Sequence, residues 1–120
     1  VTYDFAAWEG EPPADDAAAS EECGRLYRHY IEGDDLPPAE RMRSFVADLN
    51  ARWPDLDDLD EDSVDDSPWG DSPLIENASG PYIYFTTMYS KAAEVAAYAA
   101  ERAKAHGLVF FDVNQDRLLT

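Results

Sequence analysis

Polar and apolar positions alternate at the start of the chain. Thr2 to Trp8, TYDFAAW, is rich in aromatics and puts Tyr3 and Phe5 on one side, so the pattern predicts a first strand. Glu9-Gly10-Glu11-Pro12-Pro13 breaks it. The period then becomes helical. Asp15 or Asp16 supplies a capping carboxylate, and Ala19, Cys23, Leu26 and Tyr30 recur at i, i+4, i+7 and i+11, a single stripe that should end near Gly33. Pro37-Pro38 opens a second helix, with Met42, Phe45, Val46, Leu49 and Trp53 as its apolar face and Pro54 as its stop.

The stretch from Asp55 to Pro73, DLDDLDEDSVDDSPWGDSP, shows neither period and reads as an acidic loop. Leu74–Glu76 and Pro81–Phe85 follow as two short strands around Asn77-Ala78-Ser79-Gly80, a hairpin signal. Ser90 is the expected cap of a third helix, whose stripe of Ala92, Val95, Ala96, Ala99 and Ala103 is small enough to lie close to a sheet. Gly107 should end that helix, with Lys104 and His106 in its last turn where cations suit the helix dipole. Leu108 to Phe111, LVFF, is apolar without a break and fits a fully buried strand; Val113–Asp116 is a turn and Arg117–Thr120 a short edge strand.

The order is β-α-α-β-β-α-β. With the second helix set aside it is the ferredoxin-like, split βαβ order, and it predicts an α+β two-layer sandwich with helices on one face of an antiparallel or mixed sheet. No repeat or linker divides the chain, so residues 1–120 read as one domain carrying the acidic loop 55–73.

Charge changes this picture more than composition does. Nine basic residues stand against 26 acidic ones, a net charge of −17, which repels phosphate backbones and anionic membranes and steers basic proteins inward. Solubility or salt adaptation is the competing explanation, but eight of the acids fall in the twelve residues from Asp55 to Asp66. A solubilising charge has no need to cluster. The opening VTYDFAAWEGEPP lacks a basic or apolar leader region, and no run approaches the roughly 20 apolar residues that cross a bilayer, so a cytoplasmic protein is expected. Cys23 stands alone, which excludes an internal disulfide and cysteine-clustered zinc sites.

Chemistry-bearing motifs are few. Asp58, Asp60 and Asp62 have the spacing that opens an EF-hand, but Ser63 and Trp69 occupy the positions that need Gly and Glu, so a solvated loop is the favoured reading and no metal or cofactor is expected. His29 and His106 read as structural histidines, and Cys23 falls on an apolar stripe as an inert thiol. Nucleophile elbows, P-loops, dinucleotide fingerprints and zinc-protease motifs are absent, so no enzyme is expected. Trp53 and Trp69 bracket the acidic segment. The simpler reading has both pinning the loop to the core; the functional one makes Trp69 an exposed anchor in an interface.

Small size, acidic charge and missing catalytic motifs together resemble the immunity proteins of bacterial toxin systems, which occlude a toxin domain, commonly a basic nuclease. The segments YDFAAW, DSPWGDSP and AHGLVFFD also look like pieces of small uncharacterised proteins from high-GC bacteria. The resemblance implies a toxin domain as the partner and carries over no functional residues. From the residues themselves, the expected binding surface is Asp55, Asp57, Asp58, Asp60, Glu61, Asp62, Asp65, Asp66 and Trp69, set against a basic protein and not against nucleic acid or membrane. The alternatives are a housekeeping or stress-related homodimer, paired through an open sheet face bearing Tyr3 and Phe5, and a small carboxylate-dependent enzyme.

Overall fold

In the computed structural model, which describes residues 2–120, the first strand β1 (Thr2–Glu9) runs through the middle of a five-stranded sheet. It has apolar side chains on both of its faces. Its partners are β3 (Tyr82–Met88) on one side and β4 (Leu108–Asp112) on the other, with β2 (Ala78–Ser79) beyond β3 and β5 (Arg117–Leu118) beyond β4. Every neighbouring pair is antiparallel. Phe5 lies opposite Phe85, and Ala7 opposite both Ile83 and Phe110.

Because side chains alternate across a strand, this register sorts the core into two halves. Phe5, Ala7, Ile83, Phe85, Leu108 and Phe110 face one way. There they meet Met42, Phe45 and Leu49 of α2 (Glu40–Arg52) and Val95, Ala99 and Ala103 of α3 (Ala92–Ala105). Ala6, Trp8, Tyr82, Val109 and Phe111 face the other way, against Ala19, Cys23 and Leu26 of α1 (Asp16–Leu26). The fold is α+β with helices on both faces of the sheet, so the expected two-layer sandwich with helices on one face is corrected to three layers. The reason is solvation. Trp8 and Phe111 are as apolar as Phe5 and Phe110, and a second apolar face requires its own cover.

Most of the local expectations hold. Asp15 caps α1, its Oδ1 accepting from Ala18 N at 2.8 Å. Trp53, forced out of helical geometry before Pro54, ends α2 in extended backbone. Gly107, at φ +70°, closes α3 in the left-handed conformation that a side chain disfavours. Beyond Leu26, α1 continues as one π-helical turn, Tyr27–Ile31, before the chain leaves at Gly33. The linker that follows runs along the β2 edge, where Ala39 N donates to Gly80 O (2.9 Å), and carries the chain to the opposite face.

Two local expectations are corrected. Leu74–Asn77 is a 3-10 turn and not a strand, and the edge strand is Ala78–Ser79. The hairpin closes at Gly80-Pro81, where Gly80 takes φ +54°; a two-residue loop with glycine first matches the twist of the strands, which a longer Asn77–Gly80 loop would not have used. Ser90 does not cap α3. It lies inside a 3-10 turn, Tyr89–Lys91, that feeds directly into the helix, so Ala92 N is satisfied by Tyr89 O and needs no side-chain cap.

α2 and α3 are clamped by one carboxylate. Asp48 Oδ2 accepts from Arg102 Nε at 2.9 Å and lies 2.7 Å from His106 Nε2. The hydrogen bond to His106, then that to Arg102, holds the Asp48 carboxyl below the usual carboxylate range. Replacing it in Asp48→Ala leaves both partners without their acceptor and is expected to cost about 1–2 kcal/mol in urea denaturation at neutral pH. Because the folded value is depressed, the difference between the two proteins is complete above the ordinary carboxylate range and fades as pH falls through the depressed value.

Candidate protein-binding surface

The acidic segment leaves α2 at Trp53 and returns to the sheet at Pro68, and it is fastened at both ends. Asp55 is half-buried; its Oδ1 accepts from Leu74 N (2.9 Å) and from Asn50 Nδ2 (3.1 Å). At the far end, Met88 N donates to Pro68 O (2.7 Å), Gly70 N donates to Thr86 O (3.0 Å), and Trp69 bridges to Thr87. This pairing extends the covered edge of β3 past the short β2.

Trp69 is the centre of the attachment. It is only 2% exposed, its Nε1–H donates to Trp53 O at 2.8 Å, and its ring meets Trp53 and Phe85 edge-on at 5.9 and 6.1 Å. The exposed-anchor reading of Trp69 is therefore corrected: the ring is spent on the core, where a large apolar surface is worth more than in solvent. Asp55 is likewise a fastening group and not a free contact. The other seven predicted residues, Asp57, Asp58, Asp60, Glu61, Asp62, Asp65 and Asp66, are exposed, on a segment whose regular parts are two 3-10 turns, Leu56–Asp58 and Val64–Asp66. Among them, Asp60 Oδ1 accepts from Ser63 N (3.0 Å). Among the described residues, the ion pairs involve Glu9, Glu22, Asp34 and Asp48, and none comes from this loop. Nor, among the described residues, do three or more His, Cys, Asp or Glu side chains gather as a metal cage.

A groove opens where the loop ends. Its walls come from the π-helical turn and from β2 and β3, and it encloses a volume of about 440 Å³. Tyr27, Tyr30 and Tyr84 supply aromatic surface, and Asp35, Asp71 and Glu76 supply carboxylates. The wider helical turn brings Tyr27 against Tyr84, edge-to-face with ring centroids 5.0 Å apart. Tyr84 in turn donates its hydroxyl to Asp4, and burial followed by that bond pushes its pKa up, so the phenol stays a neutral donor. From Trp53 to Ser90 the chain has ten acidic residues and no Lys, Arg or His. Asp71 and Glu76 of the groove thus belong to the same negative stretch as the loop.

Sequence reasoning found the loop and missed the groove. The signals for it were present: Tyr27 and Tyr30 at i and i+3 on a helix, and Tyr84 on a strand. Their convergence depends on a helical turn that no sequence pattern announced. The remaining candidates are structural. His106 belongs to the Asp48 clamp. Cys23 is buried with its Sγ 3.3 Å from Tyr82 Oη, and desolvation raises its thiol pKa, so it lacks the cationic setting of a reactive cysteine.

The fold and this surface define an acidic α+β domain with helices on both faces of an antiparallel sheet. Comparisons with protein-family models, with curated proteins and with solved structures give no match to this chain.

Two outcomes follow from the geometry. Trp69→Ala should destabilise the fold by about 3–5 kcal/mol in denaturant unfolding, as removal of a buried tryptophan does; a cost under about 1 kcal/mol would mean that the loop is not fastened by this ring. Tyr3, whose hydroxyl donates to Asp112 Oδ2 at 2.6 Å, has its pKa pushed up to about 12 by burial and by that carboxylate. The absorbance difference between the wild type and Tyr3→Phe should therefore titrate near pH 12 and not near the ordinary value of about 10. A raised folded pKa gives stability that is complete below about pH 10 and is lost as pH rises through about 12.

Proposed function

We propose that this chain is a protein-binding inhibitor of the immunity type, which occludes a basic partner such as a bacterial toxin domain through its acidic surface. The observation that carries the reading is the loop from Asp55 to Asp66. Seven of its carboxylates are exposed, while the segment itself is fastened by Asp55 and Trp69. A surface with these properties presents charge at low ordering cost, because both ends of the segment are already held before a partner arrives.

In this mechanism the exposed Asp and Glu side chains take the places of phosphates over a basic groove, and Arg and Lys of the partner pair with them. The overall charge of −17 adds long-range steering. The setting is taken to be cytoplasmic. The sheet order supports treating β1, α2, β2, β3, α3 and β4 as a ferredoxin-like frame, to which α1 and β5 are additions, so the helix to set aside is the first and not the second as expected. No observation favours the homodimer paired through an open sheet face: Phe5 is fully buried and Tyr3 packs on the core beneath α3.

The test begins with capture from native lysate at low and at high salt. One stoichiometric basic protein retained at high salt supports the reading; a mixture of basic proteins lost on adding salt returns the charge to solubility. With the purified partner, association is then compared with a variant in which the seven exposed acids are changed to Asn or Gln. The variant should associate about tenfold more slowly or worse, with a flatter dependence on ionic strength. An unchanged rate and salt slope would sink the loop as the binding surface.

A further inference from the structure

We infer that the groove between the π-helical turn and the β2–β3 edge is a subsite for an arginine side chain of a basic polypeptide. The inference rests on the reading above and adds a specific pocket to it.

Three features of the groove converge on this occupant. Its aromatic surface is tyrosine, and a cation placed over a tyrosine face is attracted by the negative face of the ring. Its charged groups are all acidic: Asp35, Asp71 and Glu76 line it, and among the described residues no Lys or Arg does. Finally, the volume of about 440 Å³ leaves room for a long side chain such as that of arginine.

Guanidinium suits these walls better than ammonium. It is planar and weakly hydrated, so it stacks on an aromatic face while its fork of N–H donors reaches a carboxylate at the edge. The acceptors are available. Among the described residues, Asp35 and Glu76 carry no ion pair, and both are exposed at the rim. Asp71 Oδ1 accepts from Asn77 Nδ2 at 2.9 Å, which leaves its other oxygen for a ligand. The groove is also built with a departure from regular structure, since a π-helical turn presents Tyr27, Tyr30 and Ile31 to it; such turns recur at functional sites. Ile31 is 38% exposed on this wall, an apolar surface suited to the methylene stem of the same side chain.

One wall of the groove follows the exposed acids in sequence, and Asp71 belongs to both the acidic segment and that wall. A basic chain steered by the loop would therefore meet the pocket along the same negative stretch. The loop sets the rate of encounter, and the groove selects one residue and lengthens the stay.

The experiment is an NMR titration of the full chain, reading the ring signals of Tyr27, Tyr30 and Tyr84. The probes are N-acetyl-arginine amide and an oligo-arginine peptide, with N-acetyl-lysine amide and sodium chloride at matched ionic strength as controls. The expected result is saturable shifts of these rings with both arginine probes, weaker with lysine and absent with salt. Binding should fall about three- to tenfold in Tyr30→Leu, which keeps an apolar side chain but removes the aromatic face, and by a similar factor in the doubly substituted Asp35→Asn, Glu76→Gln protein, whose changes are uncharged near-isosteres. Equal response to lysine would overturn the assignment to arginine. Shifts confined to residues 55–66, or no loss in either variant, would overturn the groove while leaving the loop reading intact. The protein with its seven loop acids neutralised separates the two in the other direction: its groove should still take N-acetyl-arginine amide, even if its association with a basic partner is unchanged and the loop reading has failed.

Discussion

The constraint on which this structure depends is that its central strands are apolar on both faces. β1 sends Phe5 and Ala7 one way and Ala6 and Trp8 the other, and β4 divides its residues in the same manner. Antiparallel register between them aligns these sets, so that neither face of the sheet can be left to water. One layer of helices cannot satisfy that demand. α2 and α3 cover the side that carries the phenylalanine cluster, where Phe5 sits 5.4 Å from Phe110 and 5.8 Å from Phe85. α1 covers the other side, over Trp8, Tyr82 and Phe111. The chain must therefore pass around the sheet between α1 and α2, and it does so along the short β2 edge.

That passage determines how the edge of the sheet beyond β3 is covered. The edge beyond β3 is covered by two non-helical segments: the linker after α1 and the far end of the acidic loop. Both are tied to the sheet by backbone hydrogen bonds; Trp69 turns into the core, while Asp35 and Asp71 stay exposed. The acids of one and the tyrosines leading into the other come together at the same rim. A fold with both helical layers on one face would have separated them.

The acidic segment shows how charge and fastening divide the work. Its apolar and hydrogen-bonding groups, Trp69 and Asp55 above all, are consumed by attachment. Among the described residues, the remaining carboxylates of the segment make no ion pairs. Mutual repulsion among them costs stability, and the buried indole offsets that cost locally. The proposed inhibitor and its arginine subsite use what is left over: the free charge for attraction and the tyrosine wall for discrimination.

Local pattern alone determined much of this protein. The strands at Thr2 and Leu108, the three apolar helical stripes, a cap at Asp15 or Asp16 and the stops at Pro54 and Gly107 were all legible, because each depends on side-chain period or on the preference of one residue. The exposed acids were legible for the same reason, since a charged run without apolar partners stays in solvent. Tertiary structure decided what period cannot encode. Two faces needing cover were already implied by LVFF and by Trp8, but which helix takes which face depends on the path of the chain around the sheet. Trp69 looks the same in sequence whether it pins a loop or projects from it; only its distance to Phe85 and Trp53 settles that. The tyrosine groove exists because residues far apart in the chain, Tyr27, Asp71 and Tyr84, meet at one edge, and contact between distant residues has no local signature.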